Sequence, residues 1–221
     1  MEMIRLNLSV VVVAESHNPS ILHPSFLTSQ KIVPPEWDLA EPPICTPPFS
    51  VIKYRNGIVF SVEQNKFQIL QSPVTDDWRE TRIHKLAKKY IKKLPHVRYT
   101  AVGLNTAVAL PHQRAGWFLA ERFFKIDKCT GGRLKPESAA FKLVYPLRRS
   151  ATLNVGCDPG RVKDGEGGEK EAIIVQANYH HELTASDNYG RVEQASRILS
   201  KFVDRCEHFY NDVLEVLFQD V

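Results

Sequence analysis

Residues 51–70, Val51-Ile52-Lys53-Tyr54-Arg55-Asn56-Gly57-Ile58-Val59-Phe60-Ser61-Val62-Glu63-Gln64-Asn65-Lys66-Phe67-Gln68-Ile69-Leu70, decide the fold class. Two alternating runs flank Asn56-Gly57. That dipeptide supplies the two positive-φ residues of a type I′ turn, the strongest short hairpin signal. Gln64-Asn65 makes a second turn, so the stretch predicts a three-stranded antiparallel meander.

Working outward, Ile4 to Ala14 alternates Arg5, Asn7 and Ser9 with Ile4, Leu6, Leu8 and Val10. A period of two reads as a strand, whereas a signal peptide needs a continuous apolar stretch behind its basic start. Residues 15–50 hold eight of the 14 prolines. Proline removes amide donors and fixes φ, which excludes regular helix or central strand. Apolar residues such as Leu22, Leu27 and Ile32 are interleaved, so the segment reads as a strap across the body rather than a disordered linker, with a short helical turn near Pro24 to Gln30. Trp37 and Phe49 stand out there as a candidate partner surface.

After the meander, Asp76 to Leu94 predicts a helix. Asp77 and Glu80 form a capping pair, and Pro95 ends it. Ile83, Leu86, Ala87, Tyr90, Ile91 and Leu94 form its apolar stripe. Arg98 to Leu110 predicts a strand and Gln113 to Lys125 a helix. Residues 139–147, 151–157 and 172–179 predict further strands. Gly156 to Gly160 reads as a turn, and Asp158 to Glu171 as a mobile Gly- and charge-rich loop. One long helix is expected from Asn188 to Phe218, its wide apolar stripe suited to packing on a sheet. The expected fold is a single α+β domain over residues 1–221. It has a mixed, mainly antiparallel sheet, the long C-terminal helix packed across one face, and two further helices. The two halves loosely echo one another, each having a few strands and then a helix.

Composition is that of an ordinary globular protein, with 43% apolar and 24% charged residues. No apolar run approaches the roughly 18 residues that span a bilayer, so a cytoplasmic protein without a membrane partner is expected. Cys45, Cys129, Cys157 and Cys206 are too scattered for a close-paired zinc site and read as reduced thiols. No metal or cofactor is implied.

The net charge of +4 conceals an asymmetry: residues 1–75 carry −1, residues 76–150 carry +11 and residues 151–221 carry −6. Such segregation suggests a polyanionic partner or a complementary contact. Arg82, Lys85, Lys88, Lys89, Lys92 and Lys93, with Arg98 beyond them, are candidates for binding nucleic acid or an acidic protein. A helix needs a polar outer face in any case, and no aromatic side chain is interleaved for base stacking.

Evidence for chemistry is thin. Thr130-Gly131-Gly132-Arg133 lacks the P-loop spacing. His180 and Glu182, at a strand end, lie on one side while His181 lies on the other. The pair is a candidate acid/base site, and Cys157 is a nucleophile only if a histidine approaches it. The stretch Leu214 to Gln219 resembles the recognition core of a picornaviral-type protease site, but Asp220-Val221 follows where Gly-Pro is usual, and it carries no functional weight. No family signature specific enough to carry a function is present. The expectation is a non-enzymatic binding or assembly protein that acts as a subunit, homo-oligomer or partner in a protein complex. The alternatives are a nucleic-acid-binding accessory protein using helix 76–94, and a hydrolase with a site near His180 and Glu182.

Overall fold

The computed structural model describes residues 2–129, 134, 136–148, 150–163 and 168–219. The three-stranded meander forms, but its first turn is not the expected type I′: the Tyr54 amide donates to the Ile58 carbonyl across a three-residue loop, Arg55-Asn56-Gly57, and of the pair only Gly57 has a positive φ. Strands β3 (Phe49–Lys53), β4 (Ile58–Glu63) and β5 (Lys66–Gln71) pair antiparallel. Gly57 turns the first hairpin at φ +80°, where an added Cβ would sit 2.6 Å from the Ser72 carbonyl oxygen. Only glycine fits there without strain.

The remaining strands are β1 (Ile4–Ala14), the two-residue β2 (Ile44–Cys45), β6 (Tyr99–Pro111), β7 (Phe141–Leu147), β8 (Ala151–Lys163) and β9 (Glu169–Glu182). All nine form one sheet in the order β2-β3-β4-β5-β1-β6-β9-β8-β7. The sheet expected to be mixed is antiparallel at every pairing. In each half a first strand is followed by an antiparallel meander whose last strand returns to pair with it. β1 is flanked by β5, and β6 by β9. The halves meet where β1 pairs with β6, from Ile4↔Ala109 to Ala14↔Tyr99.

The helices are α1 (Pro24–Ser29), α2 (Ile83–Lys93), α3 (Ala115–Phe123), α4 (Ile126–Cys129), α5 (Asn188–Leu199), α6 (Phe202–His208) and α7 (Leu214–Phe218). Strand alternation explains where the main ones pack. Leu8, Val10, Val12, Phe67, Ile69, Val102, Leu104, Val155 and Val175 are fully or almost fully buried on one side. Against them lie Ile83, Leu86, Tyr90 and Ile91 of α2 and Leu199, Phe202, Phe209 and Phe218 of the C-terminal segment. The Phe67 and Tyr90 rings stack at 3.8 Å and 12°. The proline-rich strap joins the same layer. Leu22, Leu27 and Ile32 are fully buried, and Phe26 meets Tyr90 edge-on. No helix among the described residues is long and apolar enough to cross a membrane.

Several expected elements are divided or replaced. The helix expected over 76–94 is a 3₁₀ turn, Trp78–Glu80, followed by α2. Asp77 caps the turn by accepting from the Arg79 amide. The break lies at Thr81-Arg82, where the buried Thr81 hydroxyl donates to Gln71 Oε1 at 2.6 Å and a helical continuation gives way to a tie onto β5. The single C-terminal helix is also absent as such. α5 ends at Leu199, where the Ser200 hydroxyl donates back to the Ser196 carbonyl at 2.9 Å and accepts from Lys88 Nζ at 3.0 Å. Back-bonding of this kind bends helices. A π-helical turn, Phe209–Val213, separates α6 from α7 and buries two successive aromatic residues, Phe209 and Tyr210. Tyr210 hydrogen-bonds Thr106 at 2.7 Å and meets Trp78 edge-on.

The loop expected over 158–171 is strand at Asp158–Lys163 and Glu169–Glu171, paired from Asp158↔Ile174 to Lys163↔Glu169. An ion pair from Arg161 to Glu169, at 3.5 Å, ties the ends. Gly156 to Gly160, expected as a turn, therefore lies inside β8. The expected loop's residues 164–167, like the Thr130–Arg133 run, fall outside the described residues.

The stacked Phe67 is the most informative core position. Phe67→Ala should lower unfolding free energy by about 3–5 kcal/mol, whereas Val144→Thr on the exposed edge strand β7 should change it by less than about 0.5 kcal/mol. Urea titration of the two variants checks the contrast. Equal effects would contradict a core on the helix side only.

Candidate functional site

The second face of the sheet carries the side chains that point away from the helices. Its middle row is polar. Following the register, Leu70, Ser9, Asn105, Asn178, Asn154 and Val144 lie side by side across six strands. Four of them form a directed hydrogen-bond chain. Asn154 Nδ2 donates to Asn178 Oδ1 at 3.4 Å, Asn178 Nδ2 donates to Asn105 Oδ1, and Asn105 Nδ2 donates to Ser9 Oγ at 3.2 Å. Asn105 and Asn178 thus each spend one donor and one acceptor along the row and keep others for what lies above it.

Small residues flank this ladder. Gly103 lies one row to one side, level with His180 and Thr152, while Ala107 and Gly156 lie one row to the other, level with Gln176. An added Cβ at Gly103 would sit 3.0 Å from Asn178 Nδ2, so glycine leaves the amide its place. The result is a shallow cleft of about 500 Å³ with Asn7, Gln68, Lys142 and Gln176 around its floor. Within the span of β6, Lys53, Lys66 and Lys142 are matched on this face by Glu63, Asp158 and Glu182. Its charge is therefore balanced. At the rims Ile44, Phe49 and Val144 are 44%, 41% and 58% exposed.

The candidate residues from the sequence are dispersed. His180 and Glu182 do share the helix-free face. His181 points to the other side, where burial, reinforced by Arg205 and then His180, lowers its pKa to about 4. Cys157 is fully buried on the helix side. Burial, with the Asp158 charge second, pushes its thiol up to about 12. Its side chain is therefore on the opposite face from His180 and unsuited to nucleophilic attack. Among the described residues no three His, Cys, Asp or Glu side chains converge to hold a metal ion.

The basic candidates belong to the helix layer. Arg82 and Lys85 are exposed, but several neighbours are engaged. Lys88 donates to Ser200, Lys89 donates to the Lys31 carbonyl at 3.0 Å, and Lys92 approaches Glu193 at 3.9 Å. Lys93 is exposed, and Arg98 pairs with Glu15 at 3.2 Å. Trp37 packs edge-on against Tyr54 at 5.2 Å, so part of its surface serves the fold, whereas Phe49 stays open.

The amide ladder is the feature that the pattern of the sequence did not single out. Its signal was there: Asn105, Asn154 and Asn178 sit inside strands, where Asn is depleted. A strand asparagine needs a reason, and the register supplies one. No family model and no curated protein matches this chain.

Titration offers a check on the buried histidines. Burial, then Lys85 and Lys88, lowers the pKa of His84 to about 4, and its ring lies parallel to Phe202 at 5.8 Å. For both His84 and His181 the folded pKa lies below the ordinary 6.5. The unfolded chain therefore takes up protons first, and stability should fall from about pH 6.5 toward pH 4. The variant His84→Phe, which keeps a ring on Phe202, should show a shallower fall. Urea midpoints measured across that range check this, and identical profiles would contradict it.

Proposed function

We propose that the chain is a non-enzymatic binding or assembly protein that receives a polypeptide partner on the helix-free face of its sheet. The observation that carries this reading is a nine-stranded sheet with its helices packed on one side and a ladder of hydrogen-bonding amides on the other. Peptide groups, which bear both donors and acceptors, match such a row. The rim residues Phe49, Ile44 and Val144 add apolar contact of the kind found in protein interfaces.

Two features favour the face over the edges. β2 is only two residues long and lies between Pro42-Pro43 and Pro47-Pro48. The other edge strand, β7, carries Pro146. Short edges and proline are the usual guards against strand addition. The balanced charge of the face argues for protein over a polyanion, because phosphate contacts call for an excess of cations.

The nucleic-acid alternative rests on α2 and gains from exposed Arg82, Lys85 and Lys93. It loses from the intramolecular engagement of Lys88 and Lys89. The hydrolase alternative would need a partner for His180 and Glu182 that neither Cys157 nor a metal cluster provides.

Gln176 is exposed at the centre of the cleft, so Gln176→Trp blocks the face without disturbing the core. Cross-linking and affinity capture from the native cell should yield a stoichiometric protein partner. Its recovery should fall by at least about tenfold with Gln176→Trp and Val144→Glu together, and persist with Lys85→Glu and Lys93→Glu. A partner lost only with the lysine variants, or none captured at all, would overturn the proposal.

A further inference from the structure

A second cavity, of about 840 Å³, opens where β9 ends beside the α5–α6 break. Four cations line it from separate segments: Arg148 from the β7–β8 connection, Arg197 from α5, Lys201 at the break and Arg205 from α6. Among the described residues of the lining, Glu182 is the one carboxylate. Lys201 is paired with Asp204 at 3.0 Å, while Arg148 and Arg205 have no carboxylate partner among the described residues. Arg205 instead lies over the Tyr179 ring at 5.2 Å. Its Nε and the Nε2 of His181 are both buried without a hydrogen-bond partner.

The rest of the lining is braced. Gln194 Oε1 accepts from the Thr184 and Ala185 amides at 3.0 and 3.2 Å, and Gln194 Nε2 donates to the Glu182 carbonyl at 3.4 Å. This holds the β9–α5 connection against α5. The Ser200 hydroxyl, already tied to Ser196 and Lys88, fixes the position of the break. Like charges gathered around a concave, partly desolvated space repel one another and are relieved by an anion. Arginine presents a planar fork that fits phosphate oxygens two at a time. Ile198 and Ala185 add an apolar wall.

We infer that this cavity is a binding site for a small phosphate-bearing molecule, its phosphate groups held by Arg148, Arg197, Lys201 and Arg205 and its uncharged part against Ile198. The site touches the helix-free face only at Glu182 and shares no lining residue with the amide cleft. A linear polyanion is the weaker fit, because these cations surround one open cavity rather than following a track.

Isothermal titration with pyrophosphate tests the site. Saturable one-to-one binding is expected, weakened at least about tenfold in Arg205→Met and again in Arg148→Gln, and unchanged in Lys85→Glu. Arg148 is exposed, so the second variant reports on the site even if losing the Arg205–Tyr179 contact unsettles the fold. In parallel, the His181 ring resonances should shift on titration while those of the distant His23 should not. No saturable binding, or equal binding in Arg148→Gln, would overturn the inference. So would binding of a single-stranded oligonucleotide without binding of pyrophosphate, with Lys85→Glu abolishing it.

Discussion

The antiparallel pairing of β1 with β6 is the constraint on which the rest of the structure depends. Within the sheet it joins a five-stranded half, β2-β3-β4-β5-β1, to a four-stranded half, β6-β9-β8-β7, and it runs nearly the whole length of both strands, from Ile4↔Ala109 to Ala14↔Tyr99. Because side chains alternate along a strand, this register fixes two things at once. Val10, Val12, Val102 and Leu104 go to the helix side, and Ser9 and Asn105 go to the other. A one-residue slip would bury the amides and expose the valines. The helices can then cover only one side, and they do: α2 packs against β1 and β5, α3 against β8 and β9, and α5 against β6.

The two surfaces produced in this way differ in character. The helix layer carries much of the positive charge of residues 76–150 and the cationic cavity at the break between α5 and α6. The bare sheet face is charge-balanced, with small residues and amides at the centre and exposed apolar side chains at the rims. Polar groups in a strand can be held for structure alone, but Asn105 and Asn178 are only half-buried and retain hydrogen-bonding capacity toward solvent. In the proposed reading, this directed row of amides, neither sealed in the core nor scattered over the surface, meets a partner's polar groups. The same register that satisfies the row internally keeps it in place.

Much of this was legible in the sequence where the signal is local. Asn56-Gly57 located the hairpin, though not its turn type, the stripe of Ile83, Leu86, Tyr90 and Ile91 specified the buried side of α2, and Pro24 opened the short helix of the strap. What failed was decided by tertiary contacts. Thr81 breaks a helix because Gln71 waits for its hydroxyl. Ser200 ends α5 through its own side chain, with Lys88 at hand, and a stripe count cannot foresee that. The Asp158–Glu171 segment read as a loop from its glycines and charges, yet strand pairing with the Arg161–Glu169 ion pair accommodates much of it. The site was least legible of all. Ser9, Asn105, Asn154 and Asn178 are separated by up to 169 positions, and only the strand order makes them neighbours. The cationic cavity likewise gathers Arg148 from a turn and three residues from a segment whose break was not foreseen.

If the β1–β6 seam unites the halves, amides on both of its outer flanks must open together. Native-state hydrogen exchange measures this directly. Amides of Val10 and Val12 in β1, Ile69 in β5, Leu104 in β6 and Val175 in β9 should all exchange with one common free energy, equal to that of global unfolding in urea. If instead the amides of β6 and β9 exchange through an opening clearly cheaper than that of β1 and β5, the two halves are separate units, and a continuous sheet that unfolds as one is contradicted.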